Sequence, residues 1–342
     1  MRVLVTGHRG FIGAVMVPLL QKAGHDVTGL DTNLFADCAF SPQLAEVKSI
    51  SRDLRDVVKS DVEGVDAVVH LGALSNDPLG DLDAELTYDI NHRATVKLAK
   101  LAREAGVKRF IFSSSCSNYG ASGGEAMLDE SAAFNPVTAY GISKVRAEKD
   151  LAELATSSFT TVLLRSATAY GVSPQLRCDI VLNNLTAHAV ATGKVLIKSD
   201  GSPWRPIVHV EDICRAFAAV LEAPREAVHG QAFNVGRTEE NYRVRELAEI
   251  VRDTVPGCTI EFAGGAGADA RNYRVDSSKI ARTLPDFKPQ WTARKGAVQL
   301  YEAFKAAKIT LEQIEGNRYR RLGELKNLLS SGKLGPDLRW RA

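Results

Sequence analysis

The chain has 342 residues, 45% of them apolar and 25% charged, and a formal net charge of +2. That length and apolar content fit one large domain or two medium ones with a sizeable core. The near-balance of charge gives no reason to expect a nucleic-acid or membrane partner. Five cysteines (Cys38, Cys116, Cys178, Cys214, Cys258) are dispersed, and none forms a Cys-x-x-Cys pair. With no secretory leader read in the sequence, they predict reduced thiols, a cytoplasmic location and no bound metal.

In chain order, Val3–Thr6 reads as a strand, Phe11–Ala23 as a helix and Asp26–Leu30 as the next strand. Asp53-Leu54 is placed at the end of a third strand. Ala67–His70 and Phe110–Ser113 follow as strands, with a single long helical pattern over Leu82–Glu104 between them. A helix over Thr138–Ala155 leads into a strand at Thr161–Leu164. This alternation predicts an α/β fold: a Rossmann-type, doubly wound parallel sheet with a smaller C-terminal α/β substrate lobe. The regularity breaks near Gly171. Beyond it, a helix is expected over Asp179–Ala191 and a short strand at Val195–Ile197. A βα unit over Ile207–Leu221 is expected to return the chain to the main sheet, and Phe233–Gly236 reads as a strand end. Asn241–Val251 reads as the helix opening the smaller lobe, Gly264–Gly267 as a flexible loop, and the Lys- and Arg-rich stretch from Leu311 as a solvated helix and tail. The expected division is a dinucleotide-binding domain over 1–171 plus about 207–236. The substrate lobe then takes 172–206 and 237–342.

Gly7-x-x-Gly10-x-x-Gly13 lies between a predicted strand and a predicted helix. There the first glycine permits a tight turn, the second lets backbone approach a pyrophosphate, and the third lets helix and strand pack closely. The helix N-terminus then offers free N–H groups and partial positive charge to phosphates. Asp31 ends the second strand, 18 residues after Gly13. A carboxylate there accepts hydrogen bonds from the adenosine ribose and repels a 2′-phosphate, which favours NAD. Arg9 keeps a phosphate-bearing cofactor open.

Tyr140 and Lys144 stand four apart on a predicted helix and share a face. An ammonium beside a phenol favours the phenolate, which can then act as a base toward an alcohol. The run Ser113–Gly120 is placed just past the fifth strand, at the edge where such sheets bind ligands. A hydroxyl there can bond a reacting oxygen. The loop after the fourth strand, 74–81, offers Ser75 and Asn76 as specificity candidates, against the plainer reading of a Pro/Gly turn.

Taken in order, Thr6–Gly13, Asp31, Asp53-Leu54, His70–Ala73, Asn91, Phe112–Gly120, Tyr140–Lys144, Arg165, Trp204–Asp212 and Phe233–Gly236 resemble an extended short-chain dehydrogenase/reductase of the NAD-dependent epimerase/dehydratase family, over residues 1 to about 285. The resemblance implies action on a nucleotide-diphosphate sugar with NAD as cofactor, commonly in a homodimer. It implies Ser115, Tyr140 and Lys144 as the catalytic set. The implied cofactor residues are Gly7, Arg9, Gly10, Phe11, Ile12, Gly13, Asp31, Asp53, Leu54, Leu71, Gly72, Ala73 and Asn91, together with Tyr140 and Lys144. Asn184, Leu185, Arg205 and Arg271 fall on segments that meet the diphosphate, and Thr168 stands where the family commonly has a substrate-touching Asn.

The family's dehydratases place Asp-Glu directly after the catalytic Thr, whereas this chain has Cys116-Ser117. Family 3,5-epimerases place a basic Cys where this chain has Ser117, so Cys116 is one position off and reads as a packing residue. The pattern implies a 4-epimerase. A 4-ketoreductase, a dehydratase and a non-catalytic nucleotide sensor stay open as alternatives.

Overall fold

The computed structural model describes residues 1–41, 44–120, 126–197, 199–262 and 272–341. Its first half runs β1 (Arg2–Thr6), α1 (Gly13–Lys22), β2 (Asp26–Asp31), β3 (Lys48–Ser51), β4 (Ala67–His70), α2 (Asp77–Gly80), α3 (Ala84–Tyr88), α4 (Ala94–Glu104), β5 (Arg109–Ser115), β6 (Met127–Leu128), α5 (Ala139–Leu154) and β7 (Thr160–Ser166). The second half runs β8 (Thr168–Tyr170), α6 (Val181–Thr192), β9 (Lys194–Ile197), β10 (Trp204–His209), α7 (Val210–Glu222), α8 (Arg225–Val228), β11 (Ala232–Val235), β12 (Asn241–Arg243), α9 (Val244–Thr254), β13 (Thr259–Phe262), β14 (Arg274–Val275), α10 (Ser278–Thr283), α11 (Ala293–Ala306), α12 (Leu311–Glu315) and α13 (Arg321–Ser330).

Seven parallel strands form the main sheet in the order β11-β7-β5-β4-β1-β2-β3. Its central strands are apolar on both faces because helices cover both, whereas the edge strand β3 is largely polar and exposed. Val3, Val5, Val69, Ile111 and Val162 face one way, onto Met16, Leu20, Phe217 and Val220 of α1 and α7. Leu4, Val68, Phe110 and Phe112 face the other way, onto Leu98, Ala99, Ala147 and Leu151 of α4 and α5. A separate core under α6, α9 and α11 gathers Leu182, Leu185, Leu247, Val251, Ala297, Leu300 and Phe304.

Several expectations are corrected. The strand of the unit over Ile207–Leu221 does not join the main sheet, although its helix α7 packs on one face of that sheet. β10 instead pairs with β8 and β12 in a three-stranded sheet, with Ile207 opposite Thr168 and Trp204 opposite Arg243. The free edge of β7 is taken by β11, with Phe233 opposite Leu164. The single helix over Leu82–Glu104 is broken. Asp83 caps α3 through Leu86 N, and a π turn over Asp89–Arg93 separates α3 from α4. Asn241–Arg243 is strand, and α9 begins only at Val244, where Glu246 accepts from the Arg243 N–H at 2.6 Å. Asp53 does not end the third strand, which stops at Ser51. It caps a short 3₁₀ turn and accepts from Arg55 N at 2.8 Å. The chain after Leu311 is no solvated tail, because Arg321, Leu325, Leu328, Leu334 and Leu338 are all buried. Gly264–Gly267 and Arg271 lie outside the described residues.

No described helix is long and apolar enough to cross a membrane.

Candidate active site

A cavity of about 840 Å³ opens beyond the carboxyl ends of β1, β2, β4 and β5 and continues under α6, β9 and β10. At one end, β1 delivers the chain into the turn Gly7–Ile12. Gly7 has φ +69°, and a Cβ there would sit 2.8 Å from Gly72 N. A Cβ on Gly13 would sit 2.2 Å from Gly7 O. Turn, α1 and the β4 loop are therefore packed backbone against backbone, as a cradle for a pyrophosphate requires. The first turn of α1 has no side-chain cap; Ala14 N and Val15 N bond the carbonyls of Gly10 and Ile12, and the positive end of the helix faces the turn. Asp31 holds the turn from the side, accepting from Arg9 N at 3.0 Å and Asn33 N at 2.8 Å. A carboxylate has about four lone-pair sites, so ribose hydroxyls can still be received. These residues fit a dinucleotide.

Gly7, Arg9, Gly10, Phe11, Ile12, Gly13, Asp31, Asp53, Leu54, Leu71, Gly72 and Ala73 all line this cavity. Asn91 does not. It is buried in the π turn, where its side chain accepts from Leu74 N at 2.8 Å and donates to Leu74 O at 3.0 Å and Ser143 Oγ at 3.2 Å. It braces the β4 loop from behind.

Ser115 ends β5, while Tyr140 and Lys144 occupy the first turns of α5, which Thr138 caps through Gly141 N at 3.2 Å. All three line the cavity wall. Lys144 Nζ donates to Ser113 O at 2.7 Å and lies 5.7 Å from the centre of the Tyr140 ring. Burial pushes the Tyr140 phenol up to about 12, and a hydrogen bond with the Ser115 side chain pulls the other way. Burial also lowers Lys144 to about 7, against the pull of Glu148. The lysine is therefore poised near neutrality, where a small change in surrounding charge moves its proton.

Behind the set, Glu148 pairs with Arg165 at 2.7 Å, both buried, and accepts from Asn118 Nδ2 at 2.9 Å and from Ser114. Arg165 also donates to Tyr119 OH at 3.1 Å, and Tyr119 donates to Asn234 at 2.7 Å. This network fixes the end of β5 against α5, β7 and β11. Cys116 is buried within it. Its thiol donates to Arg165 O at 3.2 Å and is pushed upward by burial.

On the far wall, Ser75, Asn76, Thr168, Asn184, Leu185 and Arg205 all line the cavity. Ser75 accepts from Arg177 Nη1 at 3.2 Å, and Asn76 donates to Asp179 at 3.1 Å while capping α2. Asn184 donates to Cys178 O at 2.8 Å, and Arg205 donates to Trp204 O at 2.7 Å. The sequence reading missed the Arg177–Asp179 pair (2.8 Å), which ties this loop to the substrate side. Arg177 holds Asp179 below the usual carboxylate range although burial opposes it. Only the Arg-x-Asp spacing before a helix could have drawn attention to it. Also missed were Arg320, Leu322, Lys326 and Leu338, which join the wall from the C-terminal end. His70, which opens the His70–Ala73 motif, lies behind the wall, clasped between Thr6 Oγ1 (2.6 Å) and Thr95 Oγ1 (2.7 Å) and lowered by burial to about 3.

Comparison with known proteins agrees with this geometry. The model of the NAD dependent epimerase/dehydratase family matches residues 3–236. A UDP-glucose 4-epimerase of Mycolicibacterium smegmatis is 29% identical over 320 residues, covering 89% of this chain and 99% of the relative. A dTDP-D-glucose 4,6-dehydratase of Mus musculus is 30% identical over 268 residues, covering 74% of each chain. The solved structure of MoeE5 in complex with UDP-glucuronic acid and NAD superposes with a TM-score of 0.78 at 25% identity, covering 90% of this chain and all of that one.

Proposed function

The chain belongs to the NAD dependent epimerase/dehydratase family, and we propose that within it this protein is a nucleotide-sugar 4-epimerase. In that reaction a sugar hydroxyl is oxidised to a ketone and reduced again from the other face. Bound NAD supplies the hydride acceptor and, in the return step, the donor. The glycine turn, Asp31 and the α1 N-terminus hold it. Tyr140 takes the hydroxyl proton and later gives it back, Lys144 stabilises the phenolate by charge, and Ser115 bonds the reacting oxygen. Ser75, Asn76, Thr168, Asn184, Leu185 and Arg205 bind the nucleotide sugar, with Arg271 a further candidate from the sequence.

One observation carries the choice of reaction. The two residues after Ser115 offer no acid, since Cys116 is buried with its thiol bonded to Arg165 O and Ser117 donates its N–H to Ser115 Oγ at 3.1 Å. Two acids of the wall, Asp77 and Asp179, are engaged by Thr138 (2.5 Å) and Arg177 (2.8 Å). Simple hydride transfer needs no further acid or base. A 4-ketoreductase is the second reading, supported by Arg9 beside Asp31 in the cavity wall.

The experiment is incubation of the enzyme with a panel of nucleotide sugars, following product mass and proton couplings. Unchanged mass with altered ring couplings is expected. Loss of water or gain of two hydrogens overturns the assignment. Tyr140→Phe should lower turnover by roughly 10²–10⁴-fold while NAD stays bound.

We also propose a division into a dinucleotide-binding body that includes β11 and a substrate lobe built around α6, α9 and α11. Five buried, unpaired thiols suit a reducing cytoplasm. A homodimer through α4 and α5 is proposed on the resemblance to family members that pair through the corresponding helices.

A further inference from the structure

The chain after α12 does not leave the molecule. It crosses from the substrate side to the outer edge of the main sheet and is fastened along the way. Tyr319 O receives Cys178 N at 2.8 Å. Arg318 donates to Ala39 O at 3.1 Å. Arg321, buried, donates to Gln175 O at 2.9 Å and lies 4.7 Å above the Phe35 ring. α13 then packs Leu325 and Leu328 with Leu34, Phe35, Leu74 and Leu79, and Leu334 and Leu338 extend the same cluster. At the far end Arg55 donates to Asp337 O at 2.9 Å, Arg339 pairs with Asp56, and Trp340 Nε1 donates to Thr32 O at 2.7 Å.

These far anchors fall within Thr32–Asp56, the chain that follows Asp31 and contains Asp53. The inner side of the same segment contributes Arg320, Leu322, Gly323, Lys326 and Leu338 to the wall that Gly7, Gly10 and Asp31 also form. The family match ends at residue 236, so this segment lies outside it.

We propose that residues 316–341 are a strap that completes the dinucleotide site, adding the charges of Arg320 and Lys326 to its wall and retaining NAD between turnovers. The inference rests on the functional reading above and deepens it. A reaction with no net redox change never needs to exchange its cofactor, whereas a reductase must do so every cycle.

The test is exchange of bound NAD for labelled NAD in solution, in the full-length protein. Loosening the far end with Arg339→Ala and Trp340→Ala together removes the ion pairs of Arg339 with Asp56 and Asp337 and the bond from Trp340 to Thr32 O, and neither substituted side chain lines the cavity. Exchange should speed about tenfold or more, with turnover restored by saturating NAD. Lys326→Gln, at a solvent-accessible position of the cavity wall, provides an independent variant and should also accelerate release. Thermal melts confirm that both remain folded. A loaded, active wild type whose exchange rate is the same in both folded variants overturns the strap and leaves the epimerase reading standing. A wild type that never holds NAD overturns both.

Discussion

Burial lowers the Lys144 ammonium to about 7, although Glu148 one turn on pulls it upward. In the unfolded chain the same group titrates near 10.5. Between those values the unfolded state binds the extra proton, so stability rises with pH across that window. In cofactor-free protein the urea midpoint should therefore climb from about pH 7 to about pH 9.5, and Lys144→Met should flatten the climb. Equal slopes in the two proteins would refute the titration. Tyr140 carries the opposite sign. Its phenol is raised from 10 to about 12, so it withdraws stability only above about pH 10, outside the range measured. At this scale the sequence was informative. Tyr140, Lys144 and Ser115 stood out because phenol, ammonium and hydroxyl make sense together. Arg177 did not, because an arginine in a loop shows its partner only when Asp179, Ser75 and Asn76 are brought around it.

The π turn over Asp89–Arg93 shows what an element owes to distant residues. Widening the helix there puts Asn91 opposite the backbone of Leu74, whose N–H and C=O it satisfies. Asn91→Ala leaves both groups buried without that partner and should cost about 3 kcal/mol in chemical denaturation. A loss under about 1 kcal/mol would mean the β4 loop finds other partners. The apolar pattern over Leu82–Glu104 is continuous in sequence, so nothing local marks the break. The strands were legible for the opposite reason. Runs such as Val3-Leu4-Val5 and Ala67-Val68-Val69 bury both faces and need only their own composition to declare it. Which edge a strand joins is not local information, and β10 was accordingly assigned to the wrong sheet.

At the scale of the whole molecule, the C-terminal segment was misread because its Lys and Arg residues suggested solvent. The leucines at 322, 325 and 328 carry a helical spacing whose partners, among them Leu34, Phe35, Leu74, Leu79 and Leu86, lie more than 200 positions away. Assembly is testable here too. Light scattering should give twice the 37.0 kDa chain mass at micromolar concentration, and a particle of single-chain mass would exclude the pairing of α4 and α5. Legibility fell with the sequence distance between partners: the turn and its strand are neighbours, whereas Trp340 meets Thr32 across 308 positions.

The last strand of the main sheet has a cost during biosynthesis. β7 ends at Ser166, yet its outer neighbour β11 begins only at Ala232. While a ribosome extends the nascent polypeptide at about 5–20 residues per second, that edge stays open for several seconds. A seven-residue parallel edge that is buried throughout in the finished fold, left unpaired for that time, is a place where emerging chains can stick to one another. Cells making this protein quickly or at high temperature should lose more of it to inclusion bodies than cells translating it slowly.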